Sequence, residues 1–237
     1  MRICVDKEIV DLFPNLAIGV VVAQEVDNAS YPDALSGLLV SRASAVRDRF
    51  RDSSLNEDAR IVSWRDAYRK MGVNPKKHVP TAEAYVGRAL KDRPLPKISA
   101  AVDSYLASEL QYLLPTGGYD LDTLRGDITL TAAAGGETFE PLGGGPSEVI
   151  EKGEIVYKDD CRVLTRRWNY RDADPTKITS LTKRLVLCTE SVDATFGVDY
   201  LGQNIDDIAR LLREFCRAKA VTMVLRAAAS REIVCVQ

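Results

Sequence analysis

The chain has 237 residues, of which 46% are hydrophobic and 28% charged, and a formal net charge of −2. This is ordinary globular composition, long enough to bury a substantial core, and it excludes disorder over most of the length. The longest apolar run, Leu16 to Ala23, contains Gly19 and is too short to span a bilayer, and no secretory signal is visible at the start. A cytoplasmic protein without a membrane partner is expected.

The five cysteines (Cys4, Cys161, Cys188, Cys216, Cys235) are scattered singly, which argues against a disulfide framework and fits a reducing compartment. The chain has one histidine, His78, in the basic loop Lys76-Lys77-His78. That leaves no partner set for a thiolate nucleophile or a zinc site. No metal and no cofactor are expected. The charge is unevenly spread. Residues 41–93 carry 13 Lys/Arg against 7 Asp/Glu, a local +6, so the remainder carries −8. A second basic stretch, Arg162 to Arg184, has seven Lys/Arg against two Asp. Such asymmetry marks either a surface for an anionic partner or a pair of solvated helical faces.

In chain order, Leu16–Val22 reads as a buried β-branched strand. Helices are expected over about Asp33–Arg51, Ile61–Met71 (ended by Gly72) and from Pro80 to Leu90. Ile98, Val102, Tyr105, Leu106, Leu110 and Leu113 form a further helical stripe, stopped by Pro115-Thr116-Gly117-Gly118. The period then shortens. Asp127–Thr131, Thr138–Pro141, Ile155–Tyr157, Val163–Arg166 and Leu185–Thr189 are strand candidates separated by Gly, Asp and Pro. A last amphipathic helix is expected over about Ile205–Arg217, with Asn204 as N-cap and Asp206 and Asp207 at its positive end. The expected fold class is α+β: one domain over 1–237, with helices packed on a mainly antiparallel sheet.

Gly143-Gly144-Gly145-Pro146 lacks the Lys-Ser/Thr and the strand-to-helix context of a phosphate loop, and Gly135-Gly136 reads as a turn. The segment Arg166-Arg167-Trp168-Asn169-Tyr170-Arg171-Asp172 is different. Its arginines offer planar bidentate donors and its rings offer stacking surfaces. On a strand, Arg166, Trp168 and Tyr170 would share one face and Arg167, Asn169 and Arg171 the other. The same residues also fit a rim strand with a core tryptophan and arginines paired to nearby aspartates.

Taken together, several segments resemble the tRNA-binding and editing (B3/B4) module of the bacterial phenylalanyl-tRNA synthetase beta subunit, in free-standing form. They are Trp64-Arg65-Asp66-Ala67-Tyr68, Leu95-Pro96, Ile98 to Tyr105, Tyr119-Asp120-Leu121-Asp122, Gly126-Asp127-Ile128, Gly136-Glu137, Gly153 to Tyr157, Arg166 to Arg171 and Thr176 to Thr179. The likeness runs over about 62–194. It implies a tRNA-binding protein whose partner is tRNA or aminoacyl-tRNA, and whose candidate activity is hydrolysis of mischarged aminoacyl-tRNA in trans. Such an ester is labile, so a positioned water and a stabilised oxyanion can suffice without a protein nucleophile. Under this resemblance Asn169 and Asp120 would orient water or ligand. Arg166, Arg167, Trp168, Tyr170, Arg171, Gly117, Gly118 and Tyr119 would line the substrate pocket, and Lys76 and Lys77 would meet tRNA. The sequence also departs from the synthetase module, which carries a histidine where Gly117 and Gly118 stand and a glycine-rich strand where 166–172 stands. The synthetase's amino-acid specificity therefore does not transfer. Aminoacylation is not expected, and no protein partner is legible. The alternative is a binder of an amino acid or similar metabolite on the same fold.

Overall fold

Strand β2 (Ala17–Gln24) is buried at every position but its last, because the fold covers both of its faces. In the computed structural model, which describes residues 1–235, β2 lies inside a four-stranded antiparallel sheet. The order is β11 (Lys219–Arg226), β2, β10 (Leu185–Ser191) and β3 (Thr116–Asp120). Side chains alternate across a strand. Val21, Ala23, Leu185 and Leu187 therefore point into a helical layer, while Val20, Val22, Val186 and Cys188 point into a second sheet. A continuous apolar run is the sequence form of a strand covered on both sides.

The helical layer contains α2 (Asp33–Arg49), α4 (Thr81–Leu90), α5 (Ala100–Tyr112) and α6 (Val198–Cys216). Helix α6 sits directly on β2, where a Cβ at Gly19 would come 2.6 Å from Ile205 Cγ2; only glycine permits that approach. Ser99 caps α5 by accepting from Val102 N, and Leu113 ends the helix in the left-handed conformation.

The second sheet has six strands in the order β12 (Glu232–Val234), β1 (Arg2–Val5), β4 (Ile128–Ala132), β7 (Ile155–Lys158), β8 (Val163–Arg166) and β9 (Arg171–Asp172). Among the described residues its one parallel pair is β1 with β4. Helices α1 (Lys7–Leu12) and α3 (Ala59–Lys70) deliver Ile9, Trp64 and Tyr68 to the core it shares with the first sheet. A two-stranded ribbon, β5 (Thr138–Phe139) and β6 (Glu148–Val149), completes the layers. No helix among the described residues is long and apolar enough to cross a membrane.

The expected α+β class with mainly antiparallel strands is the observed architecture, its strands shared between two main sheets. Three local expectations change. Asn204 is no N-cap: α6 begins at Val198, and Asn204 is buried inside it, donating from Nδ2 to Ser108 Oγ at 3.1 Å. Gly117 and Gly118, expected only as part of the stop after the helical stripe, lie within β3, paired with Cys188 and Leu187. Residues 166–171 do not run on as one strand, because Arg167 and Trp168 turn the chain back.

Candidate functional site

The 166–172 segment is a hairpin. Arg167 (φ 47°) and Trp168 (φ 65°) are both left-handed, a costly conformation for two successive non-glycine residues, so the surroundings must impose it. Trp168 N donates to Ile155 O at 2.7 Å, and the Glu154 carboxylate accepts from Arg167 N at 3.2 Å. The Trp168 ring is fully buried and meets Phe13 and Trp64 edge-on, with centroids 5.0 and 5.2 Å away. Strand β9 then returns along β8, setting Asp172 opposite Thr165.

The arginines occupy the other side of this hairpin. Arg166 is 4% exposed and makes a bidentate pair with Glu154, Nε to Oε1 at 2.9 Å and Nη2 to Oε2 at 2.8 Å, while Nη1 meets Glu148. Its guanidinium is held above its ordinary pKa, the two carboxylates outweighing burial. Arg167 lies 3.7 Å from Glu154 and 5.7 Å from the Tyr170 ring centroid. Arg171 reaches Glu148 at 3.8 Å and the Leu142 carbonyl at 3.4 Å.

Asn169 and Asp172 face inward, toward two adjoining cavities. One is an apolar cleft of about 480 Å³ between α4, α5 and β3, walled by Tyr85, Ile98, Val102, Tyr105 and Leu106. The other is a polar chamber of about 20 Å³, the capacity for one water. Thr116, Gly117, Tyr119, Thr165, Trp168, Asn169 and Glu190 line it. Thr81 and Asp172 border both cavities, so Asp172 stands at their junction. Gly118 lines the cleft, where a Cβ would strike the Leu187 side chain and come 3.0 Å from Val186 O.

The polar groups form a directed relay. Tyr119 OH and Thr165 Oγ1 are 2.6 Å apart, and Thr165 donates to Asp172 Oδ1 at 2.6 Å. Tyr157 OH donates to Glu190 Oε1 at 2.9 Å, and Tyr68 OH to Asn169 Oδ1 at 2.8 Å. Asn169 Nδ2 and Glu190 Oε2 face one another without closing a well-formed bond, and Trp168 Nε1 and Thr116 Oγ1 have no partner. Three carboxyls meet here, Glu109 on α5, Asp172 and Glu190, and no lysine or arginine pairs with any of them among the described residues. Burial therefore raises all three: Asp172 to about 6, Glu109 to about 8 and Glu190 to about 8.

Of the residues singled out in the sequence, Gly117, Tyr119, Trp168 and Asn169 line the chamber and Gly118 the cleft. Arg166, Arg167, Arg171, Tyr170 and Asp120 border neither cavity. Asp120 closes the end of β3, accepting from Thr182 Oγ1 at 2.6 Å and Asp122 N at 3.0 Å. The Tyr170 ring stands edge-on to His78 at 4.9 Å, and the His78 imidazole is held below its usual pKa by burial and by Arg167 and Lys77. Lys76 and Lys77 are exposed on the loop that leads into Thr81. Glu109, Glu190, Thr81, Thr116 and Thr165 were not anticipated. The legible signal was an acid inside an apolar pattern: Glu109 follows Tyr105 by four residues on the α5 stripe, and Glu190 ends a wholly buried strand. Among the described residues no cluster of three or more His, Cys, Asp or Glu could hold a metal ion.

The model of the B3/4 domain family matches residues 63–217. Among solved structures, an N-terminal fragment of the phenylalanyl-tRNA synthetase beta subunit from Pyrococcus horikoshii is similar over 94% of this chain, at 13% identity and a TM-score of 0.47. The match covers 53% of that fragment, so this chain spans about half its length. No curated protein sequence matches.

Proposed function

The chain belongs to the B3/4 domain family, and on that premise we infer that it binds the aminoacylated 3′ end of tRNA and hydrolyses the ester of an apolar amino acid. The observation that carries this reading is the chamber of one-water capacity adjoining an apolar cleft, with the carboxyl of Asp172, which no cation pairs among the described residues, between them. The cleft takes the amino-acid side chain. A water in the chamber is held by Asn169 Nδ2 and Asp172. Asp172, raised to about 6, remains ionised at neutral pH and is close to the ideal strength for a general base. It takes a proton as the water oxygen attacks the ester carbonyl. The unpartnered Nε1–H of Trp168 is available to the oxyanion. Collapse of the intermediate expels the ribose oxygen, which recovers the proton from Asp172.

The test is to incubate the protein with a panel of tRNAs carrying mismatched apolar amino acids. Hydrolysis above the spontaneous rate is expected for at least one pair. The rate should rise through about pH 6 as Asp172 ionises, and Asp172→Asn should lower it by about 10²–10⁴-fold. No acceleration for any pair would remove the deacylase reading. Binding of free amino acids in that case, indifferent to tRNA, would favour a metabolite binder using the same cleft.

A further inference from the structure

Ion pairing in the fold absorbs most of the uneven charge of the sequence, and what it leaves over lies at the two ends of one helix. In the 162–184 stretch every arginine, and Lys177, is within ion-pair distance of a carboxylate. In the 41–93 stretch Arg42, Arg47, Arg51, Arg60, Arg65 and Arg69 are paired in the same way. Arg49 and Lys70 donate instead to the carbonyls of Gln111 and Leu12. The cations left over, which no carboxylate pairs among the described residues, are Lys76 and Lys77 before α4 and Arg88, Lys91 and Arg93 at its end, with Lys97 just beyond.

The second group is held in place by the backbone. Arg88 Nη2 donates to Pro94 O at 2.8 Å, and Arg88 O accepts from Arg93 N at 3.0 Å, so residues 91–97 fold back on the end of α4. The Asp92 carboxylate lies 3.2 Å from Arg47 and is engaged outside the group. Lys97 Nζ stands 3.9 Å from the centroid of the Tyr31 ring. Arg88 and Pro96 line the cleft, and Pro96 also lines, with Arg93 and Lys97, a groove of about 360 Å³ against α2. The basic surface is therefore continuous with the cleft. Arg88, Lys91, Arg93 and Lys97 are all exposed, and like charges gathered in this way repel one another until an anionic partner meets them.

The size of that partner follows from α4. Its 10 residues, at 1.5 Å each, set the two basic ends about 15 Å apart. A lone carboxylate or phosphate meets one end only. A nucleic-acid strand carries a phosphate about every 3.4 Å along its axis, so roughly four or five successive phosphates span the helix. We propose that Arg88, Lys91, Arg93 and Lys97 bind the phosphate backbone of the tRNA acceptor stem, which lies along α4 while its 3′ end enters the cleft beside Lys76 and Lys77. The inference rests on the reading above for its partner, tRNA, and adds the surface that holds the body of that molecule. Backbone contacts fix register without reading bases, so this surface accepts acceptor stems of different sequence, and discrimination is left to the cleft.

The experiment titrates the full chain into two probes, a fluorescein-labelled RNA minihelix ending in single-stranded ACCA and a non-hydrolysable 3′-aminoacylamino-adenosine, over about 50–300 mM KCl. The triple variant Lys91→Ala, Arg93→Ala, Lys97→Ala is expected to bind the minihelix about 10-fold more weakly and to lower its slope of log affinity against log salt by roughly 2. Affinity for the adenosine probe should stay within about twofold, since that probe has no phosphate to lose. A control variant, Arg51→Ala, Arg69→Ala, Lys219→Ala, removes as much charge from cations that are already paired and should leave the slope unchanged. Thermal melts verify that both variants fold. No minihelix binding by the wild-type chain, a slope unaffected by the first variant, or one lowered equally by the control would overturn the surface; with the adenosine probe still bound, the aminoacyl-ester reading would stand. Poly-glutamate bound at these residues more tightly than the minihelix would overturn it in favour of an acidic protein. Minihelix binding that depends on these residues, with no binding of the adenosine probe, would uphold the surface and remove the aminoacyl-ester reading.

Discussion

Two buried clusters of ionisable groups flank the 166–172 hairpin, and they are opposites. Behind it, Arg166 meets Glu154 in a bidentate pair and reaches Glu148, and Glu154 also takes a backbone N–H from Arg167. In front of it, Glu109, Asp172 and Glu190 have no cation among the described residues, and unpaired oxygens remain on both glutamates. The first cluster is electrostatically complete and fixes a strained turn. The second is incomplete, and a folded chain retains such an arrangement at a cost in stability where a ligand completes it. Density of functional side chains in sequence is thus a poor guide: the arginines that crowd the segment serve the complete cluster.

If the rear cluster is structural, breaking it should produce the largest effect in the molecule. Arg166→Ala leaves the 5%-exposed Glu154 carboxylate buried without its bidentate partner, with Arg167 only at 3.7 Å, which should cost about 3–5 kcal/mol in urea denaturation. A cost below about 1 kcal/mol would mean that the pair does not hold the turn.

The front cluster should respond with the opposite sign. In the folded protein Glu190 is raised from its ordinary 4.5 to about 8. Between those two pH values the unfolded chain has released this proton while the folded chain retains it. Stability therefore falls as pH rises through that window and is unaffected by this group below it, with a slope of at most about 1.4 kcal/mol per pH unit. Glu190→Gln removes that slope and, measured against wild type, should gain up to about 3–4 kcal/mol between pH 5 and pH 8. Parallel wild-type and variant curves over that range would show that Glu190 is not held uncharged.

The sequence carries the layers of the fold more readily than the site. Helices α2 to α5 are legible because apolar residues recur at helical spacing, and β2 and β10 because strands covered on both faces are continuously apolar. Strands β6 and β9 are two residues long, too short for any period to register, and Trp168 leaves β8 in a conformation no propensity favours. The segment's importance is visible in its composition, but the division of labour within it is not. That division depends on Glu154 lying behind the hairpin, where β7 pairs with its neighbour β8, and on Glu190 lying before it, where β10 pairs with the distant β2 and β3. Asp172 illustrates the difficulty: in sequence it is one more counter-ion for the arginines, whereas in the fold it faces away from them, bonded to Thr165.

The smallest expected effect lies outside both clusters. Lys76 and Lys77 are exposed on the loop from α3 to α4, where Asn74 Oδ1 accepts from Lys76 N at 2.9 Å, and no carboxylate among the described residues pairs with either ammonium. Substituting surface lysines of this kind should change stability by no more than about 0.5 kcal/mol. The loop nevertheless carries His78, which meets Tyr170, and runs into Thr81, which lines both cavities. A tRNA acceptor end threading into the cleft would therefore pass its phosphates close to these two charges. Each lysine that meets a phosphate adds about 0.7–0.9 to the slope of log affinity against log salt, so Lys76→Ala with Lys77→Ala should lower that slope by up to about 2. Binding of an adenosine-based probe without the tRNA phosphates should not change. A slope unaffected by both substitutions would place the tRNA path elsewhere on the rim.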